Sequence, residues 1–469
     1  MKHPLRRLAP ALAALALIVA LAAPAALAQE ISIGMLADLS GPTADVSTPY
    51  ASGLRDGAKY INEAGLLGAA KLKFTLVDYA YNAQQALSAY KKFTSQDNIL
   101  FLQGWGTQDT EALTQFVTKD KVPTISASYS AHLTDPAKAP YNFFIAADYS
   151  TQVRAALKYF KDNWKESRAP KLALMYPNVP YGLASIPPAK EYAKELGFEL
   201  VGEEIVDLKA MDATAQLLRL AKAAPDFTWI GGTTQSTAVI LKDAQKLDLK
   251  TQFFTNIWGA DENLPPLAGP AAEGVISLQA AVAYGQDVPG MKAIEKLTGG
   301  KPQMTHYVRG FASMLVMAEG IKRAQAKGKL GGEEIKAALE TLRDYDPMGL
   351  TAPISYFPDD HRPNMTAYLY VFKGGKMELL AKQSLDVARY ANLPATAADA
   401  STVNASSVNY QNNDVKRNEL HDYTFRGWAM PVEERLSMDD CVPRGQTVAF
   451  DLSALTQMPD PGTGPRLED

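Results

Sequence analysis

Short apolar runs alternate with longer amphipathic stretches along most of this chain, and this alternation constrains the fold more than any other feature. The first series begins at Ile31 and ends at Ser126. Its predicted strands are 31–39, 71–79, 99–103 and 122–126, and its predicted helices are 52–64, 83–94 and 109–118. Such alternation is typical of a parallel sheet with helices on both faces. Sheets of this kind bind ligands beyond the carboxyl ends of their strands.

The alternation then starts again, which predicts a second lobe of similar construction. Its predicted strands are 141–146, 171–176, 198–206, 227–231, 252–255 and 274–280, and its predicted helices are 151–164, 184–196, 213–223 and 236–247. Two helices, 306–324 and 333–342, follow before a strand at 354–357. A Gly374-Gly375 tip between two apolar runs, 367–372 and 377–381, indicates a hairpin. We expect the chain to return to the first lobe for the helices and to the second for the hairpin.

The amino-terminal residues have the pattern of a secretory signal. Three cations, Lys2, Arg6 and Arg7, precede an apolar run, and Ala26-Leu27-Ala28 supplies small residues before a cleavage site. We expect cleavage after Ala28 and a periplasmic location. An uncleaved membrane anchor is the alternative.

Charge and cysteine content exclude several classes of protein. The formal charge is −4 and becomes −7 when the three cations of residues 1–28 are removed, which argues against nucleic acid as a partner. The single cysteine, Cys441, excludes an intramolecular disulfide and a cysteine-based metal site. The histidines after Ala28 are scattered without metal-ligand spacing. The sequence therefore predicts neither a metal nor a cofactor.

Catalytic motifs are missing from the expected places. No GxSxG, P-loop or GxGxxG motif follows a predicted strand in the context that such motifs need. The sequence therefore predicts a protein that is not an enzyme. A hydrolase remains the alternative, and it would turn over its ligand rather than retain it.

Several motifs resemble, in order, those of the branched-chain amino acid (Leu/Ile/Val) binding proteins of ABC transporters. Residues 31–42 resemble the opening strand and loop of that family, residues 62–65 the glycine-containing exit of its first helix, and residues 122–126 its fourth strand. Tyr181-Gly182, Gly231-Gly232, Ala272-Glu273-Gly274 and residues 349–357 also fall in family order. The resemblance extends from about Ile31 to Leu380.

The resemblance implies an α/β, type I periplasmic-binding-protein fold, in which two doubly wound parallel-sheet lobes are joined by a three-strand hinge. The expected division is a signal peptide at 1–28, a first lobe at 29–147 and 284–349, a second lobe at 148–283 and 350–390, and a C-terminal extension of unknown role at 391–469. Crossovers are expected near Ala147, Ala283 and Leu350.

The resemblance also implies a function. A member of this family is the periplasmic substrate-binding component of an ABC transporter, which traps a small solute between its lobes and delivers it to the permease subunits in the membrane. A ligand-sensing partner of a membrane receptor would need the same fold and site, and it remains the alternative.

Ligand contacts are expected from the loops that follow the strands of both lobes. The candidates in the first lobe are Trp105, Thr107, Ser126, Ser128, Tyr129 and Ser130, and those in the second are Tyr181, Thr233, Asn256, Trp258 and Asp261. In the family, hydroxyl and backbone N–H groups of the first-lobe loops hold the ligand carboxylate. The same Ser and Thr residues are equally expected as helix caps and turn formers, and Tyr181 as a packing residue at a helix start.

One departure from the family bears on the ligand. The amino acid binders place a second-lobe carboxylate against the ligand ammonium, whereas here Asn256, Ile257 or Trp258 occupies that position and Asp261 lies a few residues later. Trp105 also replaces a small hydroxylated residue. A buried ammonium without a partner is costly, and aromatic side chains offer apolar faces. These residues favour an aromatic or hydrophobic carboxylate without an α-ammonium. The alternative is an amino acid whose ammonium Asp261 binds through a shifted loop.

Overall fold

The computed structural model describes residues 29–385, which form two β-sheets flanked by helices. The signal at 1–28 and the extension at 391–469 lie outside the described residues. The first sheet contains β1 (Glu30–Ala37), β2 (Lys71–Asp78), β3 (Phe101–Gln103), β4 (Thr124–Ile125) and β5 (Asn142–Phe143). Its strands are all parallel, in the order β2-β1-β3-β4-β5. The helices that connect them are α1 (Ala44–Glu63), α2 (Ala83–Lys92) and α3 (Thr107–Asp120).

The second sheet contains β6 (Lys171–Tyr176), β7 (Glu199–Ile205), β8 (Phe227–Ile230), β9 (Gln252–Thr255), β10 (Ile276–Gln279), β11 (Thr366–Lys373) and β12 (Lys376–Ser384). Their order is β12-β11-β10-β9-β8-β6-β7; β11 is antiparallel to both of its neighbours, β10 and β12, and the other pairs are parallel. Its helices are α4 (Tyr149–Asn163), α5 (Pro180–Leu183), α6 (Ile186–Glu195), α7 (Thr214–Ala221), α8 (Thr234–Lys246) and α9 (Leu264–Ala268).

Three further helices return to the first sheet: α10 (Pro289–Thr298), α11 (Thr305–Ala326) and α12 (Gly332–Leu339). Their buried side chains share one hydrophobic cluster with β1 and α1. The chain therefore passes between the sheets three times: between β5 and α4, between β10 and α10, and between α12 and β11. The predicted fold class, two parallel-sheet lobes joined by three crossovers, is confirmed. The residue bounds assigned to each lobe stay a prediction.

The packing of strand β6 explains why residues 172–175 are all apolar. Leu172 and Leu174 pack into a cluster with α4 and α6, whereas Ala173 and Met175 pack into a different cluster with α7 and α8. Successive side chains of a strand point to opposite faces, so a strand covered by helices on both sides needs apolar residues at every position.

None of the helices within residues 29–385 is long and apolar enough to cross a membrane.

Helices α1 and α11 pack closely because glycines face each other's backbone. A Cβ atom at Gly53 would lie 2.1 Å from the carbonyl oxygen of Tyr307, and one at Gly310 would lie 2.1 Å from that of Tyr50. Only glycine permits this approach. The contact fixes Tyr50 and the first turns of α11 beside the space between the two sheets.

Two expectations about secondary structure were wrong. Helix α1 begins at Ala44 rather than Ser52 and contains Pro49, a residue that normally argues against a helix interior. The segment 354–357 does not join a sheet. Ile354 forms a single antiparallel bridge with Tyr345, and Phe357 forms one with Asp360, so its backbone groups are satisfied locally. Helix α10 was not anticipated from the sequence.

Candidate ligand-binding site

A narrow cleft, with a cavity volume of about 20 Å³, lies between the carboxyl ends of the two sheets. From the first lobe it is lined by Thr43, Val46, Tyr81, Trp105, Gly106, Thr107 and Ala127, which follow β1, β2, β3 and β4. From the second lobe it is lined by Tyr149, Tyr181, Thr233 and Trp258, at the start of α4 and beyond the ends of β6, β8 and β9. This is the position that the topology of parallel sheets predicts for a ligand.

Aromatic rings make up most of the cleft wall. Trp105 and Trp258 meet edge to face with ring centroids 4.7 Å apart, and Tyr149 and Tyr181 do so at 5.7 Å. The indole N–H of Trp105 donates to Thr43 Oγ1, and that of Trp258 to the hydroxyl of Tyr149, each at 3.0 Å. Because the indole N–H groups are satisfied by protein, these rings offer the cleft mainly apolar surface.

Hydroxyl groups and helix starts supply the polar part of the lining. Thr107 is the first residue of α3, and its Oγ1 accepts a 2.8 Å hydrogen bond from Ser128 Oγ. Thr233 immediately precedes α8. The partial positive charge of a helix N-terminus favours negatively charged groups. The cleft can therefore hold an apolar body together with an acceptor or anionic group.

Tyr81 reaches the cleft through an unusual backbone. Ala80 and Tyr81 have φ angles of 50° and 57°, a left-handed conformation that costs free energy in residues other than glycine. Asp78 supports the turn by accepting the N–H of Ala80 at 3.0 Å and that of Leu39 at 2.9 Å. A Cβ atom at Gly106 would lie 2.5 Å from the Tyr81 ring. The glycine is thus needed for Tyr81 to line the cleft.

A buried carboxyl supports the loop that carries Trp105. Asp109 accepts the hydroxyl of Tyr79 at 2.6 Å and the N–H of Gly106 at 3.2 Å. Burial raises the pKa of Asp109 to about 7. The side chain is turned away from the cleft, so it positions Gly106 rather than meeting a ligand.

The structure brings together five of the eleven residues that the sequence suggested. Trp105, Thr107, Tyr181, Thr233 and Trp258 line the cleft. Ser126, Ser128, Tyr129, Ser130, Asn256 and Asp261 are buried around it without lining it. Tyr81 and Tyr149 also line the cleft but were not among the predicted residues. Tyr81 closely follows the predicted strand 71–79, and Tyr149 closely precedes the predicted helix 151–164. These positions were the available signals.

Two of the buried residues position residues of the wall. Asn256 Nδ2 donates to the hydroxyl of Tyr181 at 2.7 Å, and its Oδ1 accepts the N–H of Trp258 at 2.8 Å. Ser126 Oγ donates to the carbonyl of Ser128 at 3.1 Å, which orders the loop after β4. These contacts fit the turn and support roles that Ser and Asn commonly take.

Asp261 has protein partners on both oxygens. Its Oδ2 accepts the hydroxyl of Thr234 at 2.7 Å and lies 2.9 Å from His306 Nε2, and its Oδ1 accepts the N–H of Asn263 at 2.7 Å. Burial lowers the pKa of His306 to about 4, so this imidazole is neutral near pH 7. Asp261 therefore belongs to a buried chain of hydrogen bonds.

Side chains that are charged near pH 7 lie beside the cleft rather than in the described lining. Among residues 29–385, none of the side chains that line it is an acid, a lysine, an arginine or a histidine. Asp45, at the start of α1, accepts the N–H of Gln235 in α8 at 2.9 Å and so joins the two lobes. Within the same range, no cluster of three His, Cys, Asp or Glu residues can hold a metal ion.

Comparisons with known proteins agree with this architecture. A family model described as periplasmic binding protein matches residues 30–376. The chain is 23% identical over 352 residues to the leucine-, isoleucine-, valine-, threonine-, and alanine-binding protein of Pseudomonas aeruginosa, covering 74% of this chain and 92% of the relative.

Solved structures of substrate-binding proteins are also similar in fold to this chain. An ABC transporter substrate binding protein from Aeropyrum pernix is similar, with a TM-score of 0.70 and 31% identity over 80% of this chain and 99% of that chain. A fatty acid ABC transporter substrate-binding protein from Thermomonospora curvata has a TM-score of 0.69 at 20% identity, covering 78% of this chain and 94% of that chain.

Proposed function

The chain belongs to the periplasmic binding protein family, and from this premise we propose that it is the periplasmic substrate-binding component of an ABC transporter, with an aromatic or other hydrophobic carboxylate as its ligand. The observation that carries the ligand class is the lining of the cleft. Five of its eleven residues are Tyr or Trp, and none of the lining side chains within residues 29–385 carries a charge at neutral pH. Such a wall favours flat or extended apolar groups.

The surroundings of the cleft argue against a ligand with an ammonium group. A buried ammonium needs a carboxylate or several acceptors, or its transfer from water is costly. Asp261, the acid nearest in sequence to the family position, already accepts hydrogen bonds from Thr234 and Asn263 and lies 2.9 Å from Nε2 of His306. Neutral Asn256 is engaged by Tyr181 and Trp258.

Binding rather than turnover is supported by the same chemistry. A hydrolase needs a nucleophile and a base within hydrogen-bond reach. In the described part of the chain, no His, Asp or Glu side chain lines the cleft, and Thr107 accepts its hydrogen bond from a serine. The signal pattern of residues 1–28 supports export to the periplasm, where the closed protein would deliver its ligand to the permease subunits.

An amino acid is the competing ligand, because the relative from Pseudomonas aeruginosa is named for leucine, isoleucine, valine, threonine and alanine. A thermal unfolding panel separates the two candidates. Protein that has been unfolded and refolded to remove bound ligand is mixed with benzoate, trans-cinnamate, octanoate, leucine, valine or alanine. A ligand at a thousand times its Kd stabilises by about 4 kcal/mol. We expect stabilisation by one or more of the carboxylates and none by the amino acids.

A pair of variants ties that result to the cleft. Trp258→Leu removes a wall ring and should weaken carboxylate binding at least tenfold. Trp164→Leu is the control, since Trp164 packs against Phe227 in the second lobe away from the cleft. Equal loss in both variants, or stabilisation of the wild type by leucine alone, contradicts the proposal.

A further inference from the structure

Arg309 of α11 lies directly behind the Trp258 wall of the cleft. Its side chain is completely buried, and its guanidinium carbon lies 3.9 Å from the centroid of the Trp258 ring. Nη2 donates to the carbonyl of Ile257 at 3.1 Å and contacts Nδ1 of His306. Nε and Nη1 are buried and have no hydrogen-bond partner among the described residues. Two nitrogen atoms of this buried cation therefore have no acceptor for their N–H groups within residues 29–385.

The carboxylate connected to Arg309, that of Asp261, contacts it only through His306. His306 contacts Arg309 through Nδ1 and Asp261 through Nε2, the latter at 2.9 Å. Because burial keeps His306 neutral, Asp261 is one residue removed from the cation. No carboxylate of the described chain forms an ion pair with the guanidinium directly. Burial accordingly lowers the pKa of Arg309.

A hydroxyl without a partner lies near the same guanidinium. Tyr129 is fully buried, its ring stacks on Trp258 at a centroid distance of 6.0 Å, and its hydroxyl has no hydrogen-bond partner within residues 29–385. Tyr129 and Arg309 both contact the ring of Trp258. Buried donors without acceptors destabilise the folded state, so native proteins rarely leave several of them in one place.

The unused groups share one chemistry, since each is a donor. Because Nη2 is already occupied and Nε–H points to the side of Nη2, a carboxylate would accept a charge-assisted hydrogen bond from Nη1, and the tyrosine hydroxyl would donate to its other oxygen. We propose that Arg309 and Tyr129 form an anion subsite of the cleft, which binds the carboxylate of the ligand while the aromatic lining holds its hydrophobic body. This subsite rests on the proposed function and specifies which residues recognise the acid.

Trp258 separates the subsite from the cleft. Its ring packs between the cleft and Arg309, and its N–H is held by the hydroxyl of Tyr149. A carboxylate that reaches Arg309 must therefore displace the indole from the guanidinium. The cation–π contact is exchanged for a charge-assisted hydrogen bond between Nη1 and the carboxylate, which is the stronger interaction.

The test compares an acid with its neutral amide. Binding of 3-phenylpropanoate and 3-phenylpropanamide is measured by calorimetry at pH 7.5 with the full mature chain. The wild type should bind the acid at least 30-fold more tightly than the amide. Arg309→Met, which keeps an apolar contact for Trp258, should remove most of that preference by weakening the acid alone. Tyr129→Phe should reduce the preference three- to tenfold. Arg323→Met, on the exposed end of α11, is the control and should change neither affinity.

Each outcome decides a separate question. If leucine binds the wild type and neither phenylpropanoid does, the proposed ligand class is wrong. If the acid binds, but equally to the amide and equally in Arg309→Met and Tyr129→Phe, the subsite is wrong while the transport function stands, and ordered water satisfies the buried donors. If Arg309→Met does not fold, the acid-to-amide ratio of the wild type and the effect of Tyr129→Phe give the answer.

Discussion

Replacement of Asp45 by Asn should stabilise the protein at alkaline pH. Asp45 lies in the first turn of α1 and accepts the N–H of Gln235, which belongs to the other lobe, at 2.9 Å. Burial raises the pKa of this carboxyl from 3.8 to about 6. A side-chain amide keeps an oxygen for the same hydrogen bond, and it cannot ionise. The substitution thus removes the cost of burying a charge and retains the contact between the lobes.

The sign and size of the effect follow from proton linkage. Because the pKa is raised on folding, the folded protein binds this proton more tightly than the unfolded chain does. Stability is therefore lost as the pH rises from about 4 to about 6. A pKa difference from 3.8 to about 6 corresponds to roughly 3 kcal/mol. Since Asp45 is only partly buried by surface area, solvent screening reduces this to about 1–2 kcal/mol.

Urea unfolding at pH 4 and pH 8 measures this effect directly. Asp45→Asn should match the wild type at pH 4, where Asp45 is protonated, and exceed it by about 1–2 kcal/mol at pH 8. Asp162→Asn is the control, because Asp162 is exposed and pairs only with Lys158 on the same helix. A less stable Asp45→Asn at pH 8 would refute the reasoning, since the N-terminus of α8 would then favour the ionised form more than burial opposes it.

Three further predictions concern packing, ion pairing and the cleft. Gly310→Ala should destabilise the protein by about 2 kcal/mol in urea unfolding, because the new Cβ atom would lie 2.1 Å from the carbonyl oxygen of Tyr50; an unchanged midpoint would contradict the close packing of α1 and α11. Asp226 accepts two hydrogen bonds from Arg168, at 2.6 and 2.7 Å, and its pKa is lowered by that contact. Asp226→Asn should therefore cost about 1 kcal/mol at pH 7, and the difference should shrink as the pH falls below the ordinary range of a carboxyl and through the lowered pKa; a cost that stays constant over the whole acid range in which the protein remains folded would contradict the ion-pair account. Carboxylate binding should change the tryptophan fluorescence of the wild type, and Trp258→Phe should lose most of that change; full retention would show that the indole does not move.

The architecture was predictable because it depends on local patterns. Alternating apolar runs and helical periods give the strands and helices in order, and the rule for parallel sheets then places the site at the strand ends. The rule correctly predicts that Trp105 and Trp258, which follow β3 and β9, lie in the cleft. The segment 354–357 was misread because an apolar run of strand length can equally form isolated bridges, as Ile354 does with Tyr345.

Several features of the site depend on contacts that one sequence does not reveal. Tyr81 enters the cleft because the backbone turns left-handed after β2, in residues that do not favour this conformation. In the sequence, Arg309 is one polar residue of a long predicted amphipathic helix. Its place behind Trp258 results from the packing of α11 against the loop after β9. Asp261 was a candidate ligand contact, and nothing in the sequence indicated that it lies 2.9 Å from His306 of α11.

The measurement that tests the central claim most directly compares 3-phenylpropanoate with L-phenylalanine, which differ only in the α-ammonium group. Both are titrated by calorimetry into refolded, ligand-free mature protein. The account predicts that the acid binds at least 100-fold more tightly, because the cleft offers aromatic walls and leaves an ammonium without a partner. Tighter binding of L-phenylalanine, or binding of leucine with no binding of the acid, would contradict it.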